Sequence, residues 1–300
     1  MSQSETVQVN AVAPNRNTVR DVINRSAESE SNLGELVMWS ITGFRDTVDG
    51  VRAKVSQAGL DPSLVGNVRN KTAFLKAVRE IANQTRARVV DGPDNKAVCV
   101  RVIAYTTVDP LDLNVSVQTS VKAVLIKGTG AVEFRDMAGN KLDTTLLGPV
   151  ETEISARFEY WKQNVDSDQF RDVVLDLLKH YCDYITVRDR GGAYFVPKAC
   201  RTELAKIKAL FGLYEGADLL ALGVPDTENE RRFMGGAFMS DIEAELNALE
   251  DRMAALKASP SDRSLKALVE EFNRLQGKQD NYAFLIQGKS ERVEIGRAHV

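Results

Sequence analysis

The chain has 300 residues, 43% hydrophobic and 27% charged, with a formal net charge of −3. That balance is globular, with apolar surface enough for a core, and argues against a polyanion-coating protein. No apolar run approaches the ~18 residues of a membrane span, and the N-terminus lacks the basic-then-apolar order of a secretory signal. The three cysteines, Cys99, Cys182 and Cys200, fall at no framework spacing, so reduced thiols and a cytoplasmic setting are expected.

Residues 1–30 are rich in Ser, Asn, Gln and Val without periodicity and are expected to be disordered. Val37, Ile41, Phe44, Val48, Val51 and Val55 then recur at spacings of four and three, which predicts a helix from Leu33 to Ala58. Phe74, Val78 and Ile81 mark a second helix. The period changes in AVCVRVIAYTT and LNVSVQTSVKAVLI, which alternate as strands do on either side of Asp109-Pro110. With AVEF and a strand near Arg86–Val90, they predict an antiparallel sheet of three or four strands, one face packed and one wet. This first segment spans 31–148.

A second segment, 149–225, begins with a helix carrying Ile154, Phe158, Trp161 and Val165. Asp166 and Gln169 have capping-box spacing before an amphipathic helix that begins near Phe170. In RGGAYFVP, Gly191-Gly192 supplies positive φ for a tight hairpin turn, and Pro197 stops the strand before the next helix. ADLLALGVP reads as a fully buried strand.

A helical hairpin is predicted over 226–277, followed by a tail, 278–300. In its first arm Met239, Ile242, Leu246, Leu249, Met253 and Leu256 keep the three-four alternation of a coiled-coil seam and form a candidate oligomer interface. Packing on the protein's own body is the alternative for the same stripe. Ser259 and Pro260 are placed to cap and open the second arm, which carries Leu265, Leu268, Phe272 and Leu275. The last seven residues, EIGRAHV, read as translated sequencing adapter, so the natural C-terminus is expected to be missing.

No phosphate loop, dinucleotide fingerprint, HExxH or GxSxG motif occurs, and no catalytic residue, cofactor or metal is assigned. His180 and Cys182 project about 200° apart on a helix of ~100° per residue, which disfavours a zinc site with Cys200. Charge is segregated: Arg69–Arg88 is basic, and so is Arg188–Lys208. A glycine-tipped hairpin beside a basic helix face makes Arg188, Arg190, Lys198, Arg201 and Lys208 candidates for phosphate contact. The acidic pairs, Glu243 with Glu245 and Glu250 with Asp251, fall on predicted outer helix faces.

NLGELVMWSITGF, a Leu-Asp-Pro turn, AFLKAVR, the Gly-Gly turn into YFVP, and GVPDTENERR before a long acidic helix form a familiar order. Over about residues 33–257 this resembles a family of uncharacterised proteins encoded by bacteriophages and other mobile elements. The resemblance implies a viral or mobile-element source and supplies no catalytic residues. The expected fold is α+β: N-terminal helices, a small antiparallel sheet, a helix-hairpin-helix-strand unit and a C-terminal helical hairpin. The expected role is that of a non-enzymatic accessory protein acting through protein contacts, a second copy included. A nucleic-acid-binding factor and an enzyme with a carboxylate-based site are the alternatives.

Overall fold

A computed structural model of the protein describes residues 32–108, 116–143, 148–188, 191–258 and 261–286. In chain order the first elements are β1 (Asn32–Ile41), β2 (Arg45–Thr47), α1 (Val48–Gln57), α2 (Asn70–Thr85), β3 (Arg88–Asp94), β4 (Val98–Val108), β5 (Ser116–Ile126) and β6 (Ala131–Arg135). They are followed by α3 (Pro149–Gln163), β7 (Asn164–Asp166), α4 (Ser167–Cys182), β8 (Ile185–Thr186) and β9 (Tyr194–Pro197). The last are α5 (Arg201–Gly212), β10 (Ala217–Pro225), α6 (Glu228–Ala258) and α7 (Asp262–Ile286). The chain is α+β, as its pattern predicts. Residues 1–30, Asp109-Pro110, Arg190, Ser259, Pro260 and the final residues 287–300 lie outside the described residues.

Two units divide the chain: Gly43–Val173 forms one, and the residues up to Thr42 with those from Val174 form the other. In the Gly43–Val173 unit, β3, β4, β5 and β6 make one antiparallel sheet in sequence order. Alternate residues Cys99, Ile103, Val121, Ala123 and Leu125 face a core closed by Phe74, Val78 and Ile81 of α2 and Ile154, Phe158 and Trp161 of α3. The other face is more open, with Val90 exposed, although Val100 and Val124, paired across β4 and β5, are buried there. The Asp166–Gln169 capping box forms reciprocally: each backbone N–H donates to the other's side chain at 3.1 Å. In the same unit Asp94 joins Lys127 and Lys71, whose hydrogen bonds hold its carboxyl down at about 2.

In the other unit a four-stranded sheet runs β10-β1-β9-β8. The helix predicted from Leu33 to Ala58 is here a correction: β1 covers its first part and α1 begins only at Val48. All six stripe residues from Val37 to Val55 are buried. Val37 and Ile41 are four apart, an even number, so they share a strand face as readily as a helix face. β10 is also a correction to the fully buried strand expected there. It is an edge strand, burying Leu219, Ala221 and Val224 while its other residues are more exposed.

Gly34 sets how closely β1 approaches β9. A Cβ there would lie 2.2 Å from the Val196 carbonyl oxygen and 2.7 Å from the Phe195 ring. Gly34→Ala is therefore expected to cost about 1–3 kcal/mol through overpacking, read by chemical denaturation. An unchanged denaturation midpoint would contradict that close packing.

Candidate functional site

The helical hairpin presents two chemically different edges. Its seam is built from Ile242 and Leu249 of α6 against Leu268 and Leu275 of α7, and its base packs on Leu33, Phe195 and Val224 of the sheet. At ~100° per residue, Asp241 and Glu245 project to one side of the α6 seam line, and Glu271, Arg274 and Lys278 project to the same hand on α7. Because the arms run antiparallel, equal rotation in sequence places both sets on one edge.

On that edge the charges interlock. Lys278 is only 1% exposed; its Nζ lies 2.7 Å from Asp241 and 2.5 Å from Glu245. Arg274 pairs with Asp183, Glu245 and Glu271. Asp183 follows the end of α4 in the left-handed region at φ 43°, and its carbonyl accepts from the Tyr282 hydroxyl at 3.1 Å. The Asp241 carboxylate also accepts from the Thr186 backbone N–H at 3.2 Å, tying α6 to β8. Glu245, expected on an outer face, instead sits inside the network. Glu243, Glu250 and Asp251 are exposed.

Burial pushes the Glu245 and Glu271 carboxyls up, but Arg274, with Lys278 for Glu245 and Lys179 for Glu271, pulls both below the usual carboxylate range. Asp183 goes the other way: burial outweighs Lys278 and Arg274 and holds it above that range. The two depressed glutamates stabilise the fold above the unfolded value of about 4.3, and that contribution is lost as pH falls through their folded values. Asp183 opposes this, favouring the fold at low pH and less so as pH rises through its folded value. Acid titration of helical circular dichroism is expected to show net loss of stability below about pH 4.3. A stability that rises on acidification would contradict the pairing.

The opposite edge carries exposed apolar side chains among its charged ones. Leu246 and Met253 of α6 are 40% and 47% exposed, and Leu265 and Val269 of α7 are 54% and 52% exposed. They rotate to the other hand from the seam, so both arms contribute to one strip. The candidate interface thus divides. Ile242 and Leu249 are buried in the protein's own core and Met239 and Leu256 pack against it, while Leu246 and Met253 face solvent. Periodicity alone does not separate these sets, because the same alternation serves the internal seam and the outer strip.

The basic candidates also divide. Arg188 and Lys198 are exposed. Arg201 and Lys208 share a face of α5, as their spacing predicts, but that face meets Glu35 of β1. Glu35 is 4% exposed; Lys208 lies 2.9 Å and Arg201 3.7 Å from its carboxylate. Gly191 and Gly192 have φ of 70° and 87°, as the hairpin turn requires. Cys182 and Cys200 come together, the Cys200 Sγ lying 3.6 Å from the Cys182 carbonyl oxygen, while His180 is exposed. Among the described residues no three His, Cys, Asp or Glu side chains are grouped to hold a metal ion, and no helix is long and apolar enough to cross a membrane.

Residues 32–295 match the model of a family of unknown function, DUF6744, and the chain belongs to that family. No curated protein and no solved structure matches it.

Proposed function

We propose that this member of the family is a non-enzymatic accessory protein that acts through protein contacts, pairing with a second copy through the apolar edge of its helical hairpin. The observation that carries the reading is the strip of Leu246, Met253, Leu265 and Val269, exposed on one edge while the opposite edge is locked by Lys278 and Arg274. Exposed large apolar side chains gathered into one patch mark contact surfaces. A two-fold pairing of two such edges is self-complementary. With the copies antiparallel, Lys257 and Lys266 near the tip of one hairpin lie toward Glu243 and Glu250 of the other. The resemblance of the motif order to uncharacterised phage-encoded proteins supports a phage or mobile-element source, and three thiols without framework spacing support the cytoplasm of a host.

The pair Leu246→Glu and Leu265→Glu tests the strip without touching the seam. Light scattering is expected to give twice the chain mass for the wild type and a single chain mass for the double variant, with thermal unfolding little changed. An unchanged mass for the variant would remove the strip from the interface.

A further inference from the structure

We propose that Cys182 and Cys200 are a paired-thiol redox site, oxidised by a hydroperoxide to an intrachain disulfide and returned by a dithiol reductant. The two side chains come from different elements, Cys182 from the last turn of α4 and Cys200 from the single 3-10 turn that leads into α5. Between them the chain forms the β8–β9 hairpin and its Gly191-Gly192 turn, so the thiols close an 18-residue separation. Cys200 Sγ donates to the Cys182 carbonyl at 3.6 Å, which brings the two cysteines together across the base of the hairpin.

The pair is asymmetric in a way that assigns roles. Cys182 is buried and Cys200 is half-buried, so oxidant meets Cys200 first. A hydrogen bond from the Cys182 thiol holds the Cys200 thiol below its usual range. That same hydrogen bond, followed by burial, pushes Cys182 up. Thiolate character and access therefore coincide on Cys200, which is what selects the attacking sulfur. The Cys200 thiolate attacks the terminal peroxide oxygen; the O–O bond breaks, an alcohol or water leaves, and Cys200 becomes a sulfenic acid. The Cys182 sulfur then attacks Cys200 Sγ, the S–S bond forms and water departs. Two thiols lose two hydrogens while one hydroperoxide is reduced. The third thiol, Cys99, is buried in the sheet core of the Gly43–Val173 unit and takes no part.

The test is intact-protein mass spectrometry of the full chain after stoichiometric hydrogen peroxide, with peptide mapping. The expected product has lost the mass of two hydrogens and maps to a Cys182–Cys200 link that dithiothreitol reverses. In Cys182→Ser the second step is blocked, and Cys200 is expected to accumulate as a sulfenic acid that dimedone traps. In Cys200→Ser the oxidation is expected to slow at least tenfold. Direct over-oxidation of Cys200 in the wild type with no loss of two hydrogens would overturn the proposal. So would a link through Cys99, or no reaction at a peroxide dose that oxidises a free-thiol peptide.

Discussion

Lys278→Ala is expected to lower the unfolding free energy by about 3–5 kcal/mol, the range for removing one partner of a buried ion pair. The magnitude follows from what remains. Asp241 and Glu245 keep their desolvated positions, and Arg274 becomes the cation shared among Asp183, Glu245 and Glu271. The substitution also removes a buried aliphatic stem, which Lys278→Met retains. Lys278→Met is therefore expected to recover only the packing part of the loss. Adding Asp241→Asn to Lys278→Met is expected to recover more, because the unpaired charge goes with it. Urea denaturation followed by helical circular dichroism measures all three. A loss below about 1 kcal/mol for Lys278→Ala would place the network among exposed, weakly coupled pairs.

Tyr282→Ala is the second large effect, expected at about 3–5 kcal/mol, the cost of deleting a buried aromatic ring. Tyr282 is fully buried and stacks on Phe238 with centroids 5.1 Å apart and planes 15° apart. Its hydroxyl also donates within reach of the Asp183 carbonyl at 3.1 Å and the Phe195 carbonyl at 3.3 Å, where α7 meets β9 and the end of α4. Tyr282→Phe keeps the ring and loses only the hydroxyl, so it is expected to cost about 0.5–1.5 kcal/mol. Equal losses for the two variants would mean that the hydroxyl, and not the ring, carries the contribution.

Both residues show where the sequence stops being readable. The predicted hairpin ends at residue 277, yet α7 runs to Ile286. Gly277 is a poor helix residue, and Lys278 follows it, so the apolar rhythm of Leu268, Phe272 and Leu275 breaks there. The rhythm resumes at Tyr282 and Leu285, with Lys278 three residues after Leu275, at the charged edge of the seam. A buried lysine there requires acids opposite it, and Asp241 and Glu245 on the facing arm are that signal. The central antiparallel sheet was legible because period-two alternation over eleven residues in β4 has no helical equivalent. The stretch of β1 was not, since positions four apart satisfy both periods. Arg201 and Lys208 share one face of α5, as a spacing of seven predicts. Their partner Glu35 lies 173 residues from Lys208 in sequence, beyond what local spacing reveals.

The proposed role depends on the apolar edge of the hairpin as a contact surface for a second copy. Sedimentation equilibrium of the wild-type chain tests it most directly. A reversible dimer is expected, with twice the 33.1 kDa chain mass reached as concentration rises. A single 33.1 kDa species at every concentration up to the solubility limit would contradict it.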